Sequence, residues 1–313
     1  MSSHRWHRCF LFILKRVNRR KSAERGTFMD TYTFRFVKTN GISLHVAEAG
    51  PKEGKLVVLL HGFPEFWYGW RHQISHLANA GYRVIAPDQR GYHLSSKPQE
   101  IAAYTLDILR DDIAGLIAHY GRKQAVIIGH DWGGAVAWHL AATKPDLVEK
   151  LIAVNIPHPR TMGKVMARNP LQWLKSSYMA FFQFPGVPEK LLASEDFTYM
   201  QKAIERSGRG ASFTEQDMVH YRKAWAQPGA LTGMLNWYRA LRKGSMQQTP
   251  RKGIEPPVRI IWGVGDPFLS KSLALESLKF CNNGEGIFIG DATHWVQHEQ
   301  PRIVNQLIKE FIE

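Results

Sequence analysis

The sequence predicts an α/β fold: a mostly parallel eight-stranded sheet flanked by helices and interrupted by one helical insertion. Three observations predict it. Short, continuous apolar runs such as KLVVLL (55–60) and QAVIIGH (124–130) read as strands buried on both faces. These runs alternate with helical stretches, the order that gives parallel strands joined by right-handed crossovers. The alternation stops over residues 157–245, where the patterning is helical, and then resumes.

The elements follow in order. Thr33–Lys38 and Ile42–Ala47 form a predicted hairpin around Asn40-Gly41, a pair suited to a two-residue turn. KLVVLL is the first buried strand, and a helical stretch follows to about Ala80. YRVIAPD (82–88) is the next strand, and Tyr104–Tyr120 is an amphipathic helix. QAVIIGH runs straight into Asp131. Gly133, Gly134, Ala135, Ala137, Ala141 and Ala142 then suit a helix packed closely on a sheet, with Pro145 marking its end. Leu151–Ile156 closes this half. Val258–Gly263, Ile287–Gly290 and a helix over Pro301–Ile312 complete the pattern. Residues 29–156 and 246–313 are thus expected to form the core. Residues 157–245 are expected to form a helical cap over the carboxyl edge of the sheet, where open sheets bind ligands.

Composition sets limits. With 313 residues, 44% hydrophobic and 22% charged, the chain reads as globular. Two cysteines, Cys9 and Cys281, cannot make a disulfide framework, which points to a reducing, cytoplasmic setting. Half of the +14 net charge sits on residues 1–28, where Arg5, Arg8, Lys15, Arg16, Arg19, Arg20, Lys21 and Arg25 face Glu24 alone. The rest is spread over a large body without zinc-finger spacing or an RNA-binding run, so nucleic acid is not expected as a partner. The apolar run CFLFIL (9–14) is far shorter than the roughly 20 residues that span a bilayer. Residues 1–28 are therefore read as a flexible basic tail, with contact to an anionic membrane surface the minor alternative.

The chemistry concentrates at GHDWGG (129–134). G-x-S-x-G between a strand and a helix is the nucleophile elbow of the α/β-hydrolase fold, and here Asp131 takes the serine's place. That fold orders its triad nucleophile, acid, histidine. After Asp131, a carboxylate follows a strand in WGVGDPF (Asp266) and a histidine follows the last strand in GDATHW (His294). Asn155 occupies the other strand end that could carry the acid and does not ionise. Asp291 lies too close in sequence to His294 to face its ring readily. HGFP (61–64) follows a buried strand, where one oxyanion-hole N–H arises. The backbone N–H groups of Phe63 and Trp132 are the expected pair.

A carboxylate at the elbow implies a particular reaction. Serine attacking a saturated carbon would leave a stable ether, whereas aspartate leaves an ester. Water, activated by histidine, then cleaves that ester at its carbonyl carbon. Displacement at an sp³ carbon followed by hydrolysis suits an epoxide or a halide. An epoxide oxygen leaves as a basic alkoxide and needs proton donors.

HGFPEFWYGW (61–70), DQRGY (88–92), GHDWGG, SSYMAFFQFPGV (176–187), LNWYRAL (235–241) and ATHWVQHEQP (292–301) resemble the α/β-hydrolase-fold epoxide hydrolases, soluble and membrane-associated vertebrate members included. The likeness covers residues 33–313 and extends into the insertion. It implies that Asp131 is the nucleophile, His294 the base and Asp266 its orienting acid. It also implies that Tyr178 and Tyr238 hold the epoxide oxygen, and that Phe63 and Trp132 form the oxyanion hole. His61, Pro64 and Trp132 are expected to contact substrate, with a cis peptide before Pro64. The implied partners are a small hydrophobic epoxide and water, with no cofactor and no metal, in a monomer or homodimer. The alternative is a haloalkane-type dehalogenase, in which a Trp beside the nucleophile binds halide. Those enzymes resemble HGNP at the oxyanion loop, where this chain has Phe63. Fluoroacetate dehalogenases carry Arg where this chain has Trp132. His93, His130 and His139 read as structural, and His61 is not expected to be catalytic.

Overall fold

The computed structural model describes residues 32–166, 170–210, 212–244, 248–250 and 253–313. The basic tail read from residues 1–28 lies outside them. Eight strands form one sheet: β1 (Thr33–Thr39), β2 (Ile42–Ala49), β3 (Leu56–Leu60), β4 (Arg83–Pro87), β5 (Ala125–His130), β6 (Val148–Val154), β7 (Val258–Gly263) and β8 (Gly284–Ile289). Their order across the sheet is β1-β2-β4-β3-β5-β6-β7-β8. The β1–β2 and β2–β4 pairs are antiparallel and all the others are parallel. The chain is therefore α/β with the predicted sheet.

Local chemistry explains the boundaries. Asn40 and Gly41 both have positive φ, 44° and 75°, as a two-residue hairpin turn requires. In β3, Leu56, Val58 and Leu60 face one core, and Val57 and Leu59 face the other. Side chains alternate along a strand, so a strand covered on both sides must be apolar throughout. One face is covered by α2 (Leu106–His119) and α3 (Asp131–Thr143), and the other by α1 (Arg71–Asn79) and the C-terminal helix Pro301–Ile312. The helix α3 approaches closely because its residues are small. A Cβ on Gly133 would lie 2.3 Å from the carbonyl oxygen of Leu60, and one on Gly134 would lie 2.1 Å from Ile156.

Three elements depart from expectation. β6 starts at Val148, not Leu151, and ends at Val154, not Ile156. β8 starts at Gly284, not Ile287. At the sheet edge, β8 has only one neighbour, so its first residues, Gly-Glu-Gly, need no apolar pattern. A seven-residue helix, Lys271–Ser277, is too short to show a clear period in sequence.

Between β6 and β7 lie α4 (Thr161–Met166), α5 (Pro170–Lys175), α6 (Tyr178–Phe181), α7 (Val187–Ser207), α8 (Glu215–Trp225) and α9 (Ala230–Arg239). Asp217 and Thr214 close a reciprocal cap at the start of α8. α7 breaks at Ser194–Phe197, where Glu195, Asp196 and Phe197 all have positive φ. α9 sits directly on the loop after β4. A Cβ on Gly233 would lie 2.5 Å from the Gly91 carbonyl oxygen, and the Trp237 indole donates to the Arg90 carbonyl at 2.9 Å. No helix among the described residues is long and apolar enough to cross a membrane.

Candidate active site

The parallel strands deliver their C-terminal loops to one edge. β5 ends at Asp131, whose φ of 48° is unusual for a residue with a side chain and turns the carboxylate outward at the head of α3. Gly62 leaves the room this turn needs, since a Cβ there would lie 2.3 Å from that of Asp131. One carboxylate oxygen, Oδ1, accepts the Phe63 backbone N–H at 2.9 Å. The other, Oδ2, lies 3.6 Å from His294 Nε2. Trp132 is the second residue of α3, where backbone N–H groups have no intrahelical acceptor.

His294 Nδ1 donates to Asp266 Oδ2 at 2.8 Å. That carboxylate is fully engaged: Asn155 Nδ2 donates to Oδ2 at 2.7 Å, and the Phe268 and Leu269 N–H groups donate to Oδ1 at 2.8 and 2.9 Å. Asp291, by contrast, is 93% exposed and faces Arg209, so the imidazole's partner is Asp266. Burial opposes a charge on His294, but Asp266, with smaller help from Asp131 and Glu65, overrides it and holds the ring up to about 9. Burial likewise opposes charge on Asp266, and His294, Asn155 and the Leu269 N–H together hold its carboxyl below the usual range.

Tyr178, opening α6, and Tyr238, on α9, come together from the insertion. Their rings lie 6.0 Å apart at 75°, so the two phenols stand side by side over the same space. The Trp132 ring packs edge-on against Tyr238, with ring centroids 5.1 Å apart at 88°. Burial first, and then the nearby Asp131 charge, raise Tyr178; burial and the neighbouring Tyr178 raise Tyr238, so both phenols stay protonated. Arg239 holds this region in place by pairing with Glu189 and donating to the Phe182 and Phe184 carbonyls. Asp131, Tyr178, Tyr238, His294, Phe63 and Pro64 all line one cavity of about 200 Å³. Leu192, Met200, Ala203 and Ile204 of α7 extend its wall, which is almost wholly apolar.

A family model described as alpha/beta hydrolase fold matches residues 55–301. Human "Epoxide hydrolase 4" is 36% identical over 291 residues, covering 91% of this chain and 80% of that one. This chain belongs to the α/β-hydrolase-fold epoxide hydrolase family. It is also 58% identical to the AB hydrolase superfamily protein YfhM of Bacillus subtilis, over 91% of this chain and 99% of that one. The crystal structure of a Bacillus megaterium epoxide hydrolase in complex with an inhibitor superposes with a TM-score of 0.81. It shares 31% identity over 89% of this chain and 99% of that one.

Within this family member, the expected site residues do not all reach the cavity. Pro64 lines it, after a cis Phe63–Pro64 peptide. His61 and Trp132 are not among its lining residues. His61 is buried and turned inward: its Nε2 accepts the Gln89 N–H at 3.0 Å, so its Nδ1–H donates to the Gly62 carbonyl. His139 is likewise engaged, between Thr249 and Asp107.

Sequence reasoning missed Glu65. Its buried carboxylate accepts from Tyr221 of α8 at 2.8 Å and from Gln297 at 3.2 Å, and it contacts His298 at 2.6 Å and His130 at 3.1 Å. Burial would raise its carboxyl, but His298 and His130 hold it well below the usual range. His130 Nε2 donates to the His294 carbonyl at 2.9 Å. One carboxylate thus ties together the loop after β3, the elbow, the histidine loop and the insertion. The signal in sequence was only an acidic residue inside an otherwise apolar stretch.

Proposed function

We propose that this chain hydrolyses an epoxide to a vicinal diol through an alkyl-enzyme ester on Asp131, with residues 157–245 acting as a cap on a core of 29–156 and 246–313. The observation that carries this reading is a carboxylate at the elbow facing two tyrosine hydroxyls across an apolar cavity. Relatives and structural neighbours named epoxide hydrolases support it.

In this reading Oδ2 attacks an epoxide carbon. The carbon–oxygen bond of the ring breaks, and the alkoxide takes a proton from the Tyr178–Tyr238 pair. Oδ1, already held by the Phe63 N–H, becomes the ester carbonyl oxygen. His294 then accepts a proton from water, and hydroxide adds to Cγ. The oxyanion on Oδ1 is held by the Phe63 and Trp132 N–H groups. Collapse expels the diol and restores the carboxylate, with one oxygen from water. The apolar wall favours an epoxide with a hydrocarbon substituent. A halide reading is weakened because Trp132, whose indole would have to hold the halide, is not among the residues that line the cavity.

The test is a single turnover in heavy-oxygen water. Label should appear in the peptide that contains Asp131. Label found only in the diol would mean direct attack of water on the epoxide, and would overturn the ester.

A further inference from the structure

Away from the cavity, His45 on β2, Asp88 just after β4 and His93 in the following loop bring three metal-ligating atoms together. His45 Nδ1 lies 2.6 Å and His93 Nδ1 2.8 Å from the same oxygen, Asp88 Oδ2. All three atoms lie within 4.8 Å of one another.

We propose that His45, Asp88 and His93 bind one divalent transition-metal ion, with Zn²⁺ as the reference case. Two imidazoles and one carboxylate are a ligand set that zinc and its neighbours accept, leaving a fourth position for water. Coordination needs the three atoms to spread to about 3.3 Å from one another, the separation set by metal–ligand bonds of about 2.0 Å. Each ring proton moves from Nδ1 to Nε2, and neither Nε2 has a protein partner among the described residues, so no net proton is released.

Three further features are those of a built site. The carboxylate is held from behind, since Asp88 Oδ1 accepts the Trp67 N–H at 3.0 Å, as outer partners of metal ligands do. His93 reaches Asp88 from a positive φ of 39°, a conformation costly for a side-chain residue and retained here with its ring aimed at the cluster. Phe34 stacks on His45 at 5.3 Å, and Phe36 tilts over the same ring at 5.3 Å. Both phenylalanines belong to the edge strand β1 and are exposed, so they roof the site on one side, while half-buried His93 leaves it open on another. A bound ion would join β2 to the end of β4 and the loop that follows it, with the segment Trp67–Trp70 tied in through the Trp67 N–H on Asp88.

The test uses the full chain freed of metal with a chelator and titrated with Co²⁺. The expected result is one equivalent bound with the visible bands of a four-coordinate ion, displaced by Zn²⁺. His93→Asn keeps a residue that tolerates positive φ, so the fold is retained. It should weaken binding at least about tenfold, while His119→Ala, at an exposed histidine, should not. The proposal is overturned if the wild-type chain shows no such ion, or if His93→Asn binds it as tightly as wild type.

Discussion

His294 is held up to about 9, so at neutral pH its ring carries a proton before substrate arrives. A protonated ring cannot activate water, yet hydrolysis of the ester needs a base. Alkylation of Asp131 resolves this, because it removes one of the negative charges that hold the proton on His294. The proton the ring then sheds replaces the one given up by the tyrosines, and Nε2 becomes an acceptor when water must be deprotonated. His294→Gln should therefore still be alkylated but not released, and intact mass should show the ester accumulating. A folded variant that binds substrate without forming an adduct would remove His294 from this role. Tyr178 and Tyr238 act one step earlier. General acid assistance is worth about 10²–10⁴-fold, and the two phenols line the same cavity with their rings 6.0 Å apart. Tyr178→Phe or Tyr238→Phe alone should slow alkylation moderately, and the double variant should approach inactivity. Rapid-quench measurement of alkylation checks this. A double variant that opens epoxides at the parent rate would reduce both residues to packing.

Among the elements, α3 carries the nucleophile and has the least freedom. Gly133→Ala would place a methyl carbon 2.3 Å from the Leu60 carbonyl oxygen, and backbone cannot step aside as a side chain can. Overpacking typically costs about 1–3 kcal/mol, and here the displaced element would take Asp131 with it. A lower melting temperature and lost activity are expected together. Gly290→Ala is the control, with no atom within 4 Å of the new carbon; its stability should stay within about 0.5 kcal/mol of the parent. Equal melting of the two variants would refute the tight α3–β3 contact. The same crowding made this element legible in sequence, because a helix pressed this closely on a strand demands small residues on the face it presents. β3 and β5 were legible because they are apolar on both faces. β8 and the helix Lys271–Ser277 were not, being an edge strand and a short helix with little pattern to impose. At the site, Asp131, Asp266 and His294 could be read because each follows a strand end in chain order. Asn155 and Glu65 act through partners as distant in sequence as Asp266 and His298, and no local pattern records such pairings.

Across the whole molecule, the insertion is pinned to the core by buried polar contacts. Tyr221 donates to Glu65, the Trp225 indole to the Pro64 carbonyl at 2.7 Å, and Arg71 pairs with Asp217 at 3.2 Å. Unfolding should thus involve both parts together, and stability should register the electrostatics of the site between them. The raised ring of His294 makes a signed prediction. An unfolded histidine titrates near 6.5, while the folded one is held up to about 9. Below pH 6.5 both states are protonated, and the full stabilising interaction is present. As pH rises through 6.5 the unfolded state loses its proton first, and the contribution declines until the folded ring also deprotonates near 9. A gap of this size is worth about 3 kcal/mol at most, at about 1.4 kcal/mol per pKa unit, against total stabilities of about 5–15 kcal/mol. His294→Gln has no proton to lose. Urea unfolding of parent and variant at pH 6, 8 and 10 should therefore show a difference in stability that is largest at pH 6 and shrinks by up to about 3 kcal/mol at pH 10. A difference that stays constant, or grows with pH, would mean that Asp266 does not hold this proton in the folded chain, and its role as the orienting acid of His294 would fall with it.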